Sequence, residues 1–296
     1  MALEAGVTMH EVFGAVRIWQ LEHVQGLRKH ADAVAKRIFG MDRWRKCVKE
    51  CTADDDRENL MQLAFAVLHT SDWIDNPDDS TRTMTNMELA SIHYIDERMP
   101  YMENWPIYVE GDKVGIEQHF DCVLYFEDGA EYRYIGTIDG LVAKLGKKDE
   151  CYLDENKTAS RLDAGWRASF DMSHQITGYC ACSCVVFGFP VFRSRVTGVK
   201  IKPTNKGEDI YVLEPIERDE PSIQAWARWL RNTADLYETF KDDYEYADRY
   251  THSCNRYFRP CSLLPFCCDS PEGRAEQWSE MVDADPSPSE RAVMEL

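Results

Sequence analysis

The chain has 296 residues, with 34 Lys and Arg against 52 Asp and Glu and a formal net charge of −18. A hydrophobic fraction of 44% beside 29% charged residues is ordinary for a soluble globular protein, and the charge argues against indiscriminate binding to polyanions. No run approaches the ~20 apolar residues that cross a bilayer, so no membrane partner is expected. The opening stretch MALEAGVTMHEVFG has neither a basic leader nor an apolar signal core, and the expected location is the cytoplasm, or the host cytoplasm for a viral source. The 11 cysteines are therefore read as mostly reduced thiols.

Met9, Phe13, Val16 and Gln20, continued by Val24, Leu27, Ala31, Val34 and Ile38, recur at helical spacing and predict helix over 4–51, broken at Gly40. A second helix fits 57–70, a loop 71–83, and a third helix 84–98, stopped by Pro100. From 106 the composition turns β-branched and aromatic. Strands are predicted at 113–126, 131–145 and 150–157, the last two joined through Gly146-Lys147-Lys148-Asp149. A helix at 163–183, strands at 194–202 and 209–216, and an amphipathic helix at 220–249 follow.

Strands with helices before, between and after them predict an α/β fold, a central sheet flanked by helices with a long N-terminal helical part. One domain is expected over 1–270, made of a helical part (1–105), a sheet core (106–216) and a C-terminal helix with a Cys-rich segment (217–270). Residues 271–296 carry seven acidic residues against two basic and are expected to be a mobile or partner-binding tail. Charge is uneven elsewhere. Residues 17–49 hold nine Lys and Arg against three acids, and 190–206 hold five against none. Such segments are either solvated faces or a local groove for a phosphate backbone.

Asp139 falls near the end of one predicted strand, and Glu155 and Lys157 near the end of the next. Alternation puts Glu155 and Lys157 on one face and Asp154 and Asn156 on the other. Gathered carboxylates repel and need compensation, either by the lysine in a structural salt bridge or by a divalent cation such as Mg²⁺ or Mn²⁺. The second option has a chemical use. A cation held by carboxylates generates a water nucleophile and stabilises charge on phosphoryl oxygens, with an ammonium alongside.

The segments GTIDG and ECYLDENKT resemble the catalytic hairpin of the PD-(D/E)XK nucleases, in their RecB-like branch. Gln175-Ile-Thr-Gly-Tyr179 is similar to the QxxxY motif of that branch, Gly6-Val-Thr-Met-His10 to its GxxxH motif, and Trp166 fits the phage members. The motifs run in family order over about 6–268 and are specific together rather than singly. The resemblance implies a mixed sheet with a restriction-endonuclease-like core and a metal-dependent deoxyribonuclease of the phage exonuclease type, acting on DNA in recombination or repair, with a recombination protein as possible partner. It implies His10, Asp139 and Glu155 as metal ligands for Mg²⁺ or Mn²⁺, Lys157 as the catalytic lysine, and Gln175 and Tyr179 as supports of the site or contacts to DNA. Glu117 is a further carboxylate available as a ligand. His93, in Ala90-Ser-Ile-His93, is a rival to His10. His10-Glu11-x-x-Gly14 has the first half of a zinc-protease motif without its second histidine.

Cys254, Cys261 and Cys267, set among prolines, form a second signal, for a [4Fe–4S] cluster or Zn²⁺. They resemble the three C-terminal cysteine ligands of some RecB-like nucleases. The fourth ligand is open, with Cys47 and Cys51 as alternatives and free thiols as a third reading. Two rival functions stand beside the nuclease: a non-catalytic nucleic-acid-binding or assembly subunit of the same fold, and a structural metal protein whose hairpin acids form only a salt bridge.

Overall fold

The apolar spacing of the first hundred residues folds as five helices in a computed structural model that describes residues 2–127, 130–202, 209–240 and 273. They are α1 (Ala2–Trp19), α2 (Arg28–Phe39), α3 (Met41–Lys49), α4 (Asp56–His69) and α5 (Met84–Met102). The helix expected over 4–51 is thus three. A π-helical turn at Gln20–Val24 ends the first, and Gly26 and Gly40, at φ 69° and 72°, take left-handed backbone that breaks a continuous helix. Asp55 and Thr83 cap α4 and α5 by accepting from the amides of Glu58 and Asn86. Pro100 lies inside α5, which runs on to Met102 rather than stopping before it. Its missing N–H removes one i→i−4 bond, to the Asp96 carbonyl, in the last turn.

A short hairpin, β1 (Val109–Glu110) and β2 (Lys113–Val114), leads into a five-stranded mixed sheet. Its strands are β3 (Ile116–Glu127), β4 (Ala130–Lys144), β5 (Lys147–Ala159), β6 (Arg193–Lys200) and β7 (Ile210–Glu217), adjacent in that order. All neighbours are antiparallel except β5 and β6, which are parallel. The β5–β6 crossover carries α6 (Ala164–Ala168) and α7 (His174–Phe187), where the sequence predicts a single helix. Ser173 starts α7 by capping the Ile176 amide. The β4–β5 turn is Leu145-Gly146, with Gly146 at φ 78°, and Lys147 already pairs with Lys144. The chain divides into two compact units, Met1–Ala227 and Arg228–Leu296, and a further helix, α8 (Glu220–Phe240), includes the boundary.

Two cores form in the first unit. One joins α1 to α5 with Ile116, Val142 and Val199 of the sheet. The other joins Ile176, Tyr179, Cys180 and Phe187 of α7 with Phe120, Ile138, Leu141 and Leu153. Ile138 and Leu141 share this second core although they are three residues apart. Strict alternation would send them to opposite faces, so β4 loses one step of its alternation across Asp139-Gly140. That irregularity sets up the site.

Candidate metal centre

In the β3–β4 ladder Ile116 faces Gly140 and Gln118 faces Ile138, which puts Glu117 opposite Asp139. Like charges directly opposite on neighbouring strands destabilise a sheet. Glu117 has φ 45°, the one non-glycine among the described residues in the left-handed region. On the other side of Asp139 the β4–β5 ladder ends at Leu141 and Leu153. Beyond it side chains take over the backbone pairing. The Asp139 amide donates to Glu155 Oε1 (3.3 Å), and the Asn156 amide donates to Asp139 Oδ2 (2.9 Å). Helix α1 brings His10 Nδ1 to 3.6 Å from Asp139 Oδ1. Gly6, one turn earlier, faces Thr158 of β5, where an added Cβ would make only ordinary contact at 3.6 Å.

Donor atoms of His10, Glu117 and Asp139 lie within 4.8 Å of one another. Glu117 Oε1 is buried and has no hydrogen-bond partner; the closest cation is Arg17 Nη1, at 3.7 Å. A carboxylate with one unbonded buried oxygen, beside a second carboxylate and an imidazole, fits a divalent cation, and two oxygens with one nitrogen suit Mg²⁺ or Mn²⁺. Glu155 is next to this trio rather than in it. Its second oxygen, Oε2, accepts from Lys157 Nζ at 3.4 Å. Among the sequence-predicted ligands His10 and Asp139 therefore meet, Glu117 joins them, and Glu155 holds Asp139 and Lys157. His93 is engaged elsewhere, with Nδ1 3.5 Å from Asp209 Oδ2. Glu11 of the half zinc-protease motif is held bidentately by Arg43.

Electrostatics follow the crowding. Burial pushes Glu117 and Glu155 well above the usual carboxylate range, and the charge of Asp139 adds to it. Burial pushes the His10 imidazole down, with Lys157 and Arg17 adding to it against the pull of Asp139. The shift favours the neutral ring, the form that ligates a metal. Burial works against the Lys157 ammonium, yet Glu155 and Asp139 hold its pKa above the ordinary value.

On α7 Gln175 Nε2 donates to the Tyr179 hydroxyl (2.8 Å). Burial, then the Glu155 charge, raises that hydroxyl's pKa. Tyr179 also packs edge-on against Phe120. Trp166 covers Gly198, the β6 partner of Lys157, so closely that a Cβ on Gly198 would lie 2.4 Å from its ring.

The opposite face of β5 holds what the sequence reading missed. Asp154 is fully buried and accepts from Arg98 Nη1 (2.6 Å) and from Arg17 Nε and Nη2 (3.3 Å each). Arg17 also donates to the Asp154 carbonyl. Asn156, with its amide oxygen turned to the guanidinium, accepts from Arg17 Nη2 (2.6 Å). Burial would raise the Asp154 carboxyl, but Arg98, Arg17 and Arg195 overcome it and hold it at about 2. Arg17 thus touches this network and also approaches Glu117. Its one signal in the sequence is its place seven residues, two helical turns, after His10.

Cys254, Cys261 and Cys267 lie outside the described residues. Cys47 and Cys51 belong to the α3–α4 packing, with Cys47 Sγ 3.3 Å from Thr70 Oγ1 and Cys51 Sγ bonded to the Cys47 carbonyl. No helix among the described residues is long and apolar enough to cross a membrane. Comparison with family models, with curated proteins and with solved structures finds no match to this chain.

Proposed function

We propose that the protein is a divalent-metal-dependent nuclease that hydrolyses phosphodiester bonds of DNA. The observation that carries this reading is the unpartnered buried oxygen of Glu117 beside Asp139 and His10, with the Glu155–Lys157 pair next to it. A bound Mg²⁺ or Mn²⁺ supplies an activated water and a positive charge for the phosphoryl oxygens. His10, Glu117 and Asp139 hold that ion. Glu155 anchors the Asp139 backbone and keeps Lys157 oriented, and Lys157 neutralises charge that develops at the phosphoryl group. The motif resemblance agrees with this chemistry and adds exonuclease action in recombination or repair.

The test is degradation of linear and circular DNA, single- and double-stranded, by purified protein with Mg²⁺ or Mn²⁺. Asp139→Asn and Lys157→Ala should each lower the rate at least 100-fold, the scale of losing one electrostatic stabiliser, with unchanged circular dichroism. Circular DNA left intact while linear DNA is degraded marks exonuclease action. Wild-type protein that leaves every substrate whole sinks the proposal. Metal-independent DNA binding without turnover would favour the non-catalytic subunit instead.

A further inference from the structure

The fold sorts the basic residues of 17–49. Arg17 is buried against Asp154 and Arg43 is bound by Glu11. Arg28 and Arg45 stand 3.6 and 3.9 Å from Glu22 and Asp42. Arg37 donates one hydrogen bond, from Nη2 to the Ile116 carbonyl. Neither Arg37 nor Lys29 has an ion-pair partner among the described residues. Eight residues apart on α2, they share one helix face about 12 Å long.

That face walls a cavity of about 240 Å³. Lys29, His30 and Arg37 line one side, and Asp112 and Val114 of the β1–β2 hairpin line the other. His30 Nε2 bonds the Gly111 carbonyl at 3.0 Å and ties the hairpin to α2 across the cleft. Arg37 marks its end at the metal centre, because its anchor, Ile116, directly precedes Glu117. Lys29 and Arg37 against Asp112 make the cleft lining net positive, with Arg37 also in the field of Glu117, on a chain whose net charge is −18. Three cations of the other basic segment already have acidic partners. Arg193 pairs with Glu217, Arg195 with Glu97 and Lys200 with Asp209.

We infer that the cleft between α2 and the β1–β2 hairpin binds non-scissile phosphates of the polynucleotide whose reacting bond lies at the metal centre. This rests on the nuclease reading. Lys29 and Arg37 contribute charge and guanidinium donors to backbone phosphates, which gives affinity and register without base preference.

The experiment is steady-state cleavage of a DNA oligonucleotide in Mn²⁺ over a range of KCl concentrations. The double variant Lys29→Gln/Arg37→Gln should raise KM about tenfold, leave kcat within about twofold, and flatten the slope of log(kcat/KM) against log[KCl] by about 1.4 to 1.8, the share of two phosphate contacts. Lys46→Gln/Lys49→Gln, which removes two charges away from the cleft, should leave all three as in wild type. Asp112→Asn should lower KM several-fold, a gain that misfolding cannot produce. Active wild-type protein with a double variant of unchanged KM and slope overturns the cleft and leaves the nuclease reading standing. Inactive wild-type protein overturns both.

Discussion

Glu117 shows at the scale of one residue how the site is built against local preference. A side chain with a Cβ at φ 45° is strained by about 1 kcal/mol or more. It also faces Asp139 with an oxygen that finds no proton donor. A bound cation would relieve the second penalty, while the first belongs to the backbone and stays. Asparagine tolerates the left-handed region better and carries no charge. Glu117→Asn should therefore raise the melting temperature of the metal-free protein by a few degrees while weakening Mn²⁺ binding at least tenfold, read by thermal melting and titration calorimetry. A variant that melts below wild type without metal would refute the strain. The sequence singles out Asp139, Glu155 and Lys157 by residue type and position, and His10 through the motif resemblance, and these do gather. It leaves the division of labour between Glu117 and Glu155 open, because that depends on strand register and on a dihedral angle that no spacing encodes.

Among elements, the decisive feature is the opening between β4 and β5 beyond Leu141 and Leu153. Gly140 lies there, and an added Cβ would stand 2.9 Å from Arg17 Nε and 3.0 Å from the Asp154 carbonyl oxygen. The carbonyl is backbone and gives little. Gly140→Ala should cost about 1 to 3 kcal/mol in urea unfolding, and it should reduce cleavage beyond that loss by pushing Arg17 off Asp154 and Glu117. An alanine variant as stable and active as wild type would show that the gap is not tightly filled. The strands around this gap are legible from composition to within a few residues, since β-branched and aromatic runs mark them. The helices are less so. Apolar periodicity runs unbroken past Gly26, and only the backbone angle there shows that the chain turns. The loss of one step of alternation at Asp139-Gly140 is likewise invisible in a sequence that reads as one strand.

For the whole molecule, the crowded carboxylates couple stability to pH. Burial, with the charge of Asp139, lifts the Glu117 and Glu155 carboxyls well above the ordinary glutamate value near 4.5 that holds in the unfolded chain. Above that value the folded state binds more protons than the unfolded one, so stability falls as pH rises from there through the raised range. Metal-free protein should lose roughly 5 °C in Tm between pH 5 and pH 8, and millimolar Mn²⁺ should restore it at pH 8 with little effect at pH 5. A flat or rising profile without metal would contradict the assignment. The α/β class and the order of elements follow from the sequence, because patterning alone separates helix from strand. The basic segments mislead, because a charge count does not show which cations face inward.

The two-sided polarity of β5 has one more consequence. From Asp154 to Lys157 this strand offers no apolar residue to either face, so greasy burial cannot tell it which way to lie there. Charge pairing decides instead. Sliding by a single position would strand an ammonium among guanidiniums and leave a carboxylate facing others without relief. The salt cluster behind the strand thus works as an alignment key, and replacing it by oily side chains would preserve compactness while removing what keeps Glu155 and Lys157 in phase with Asp139.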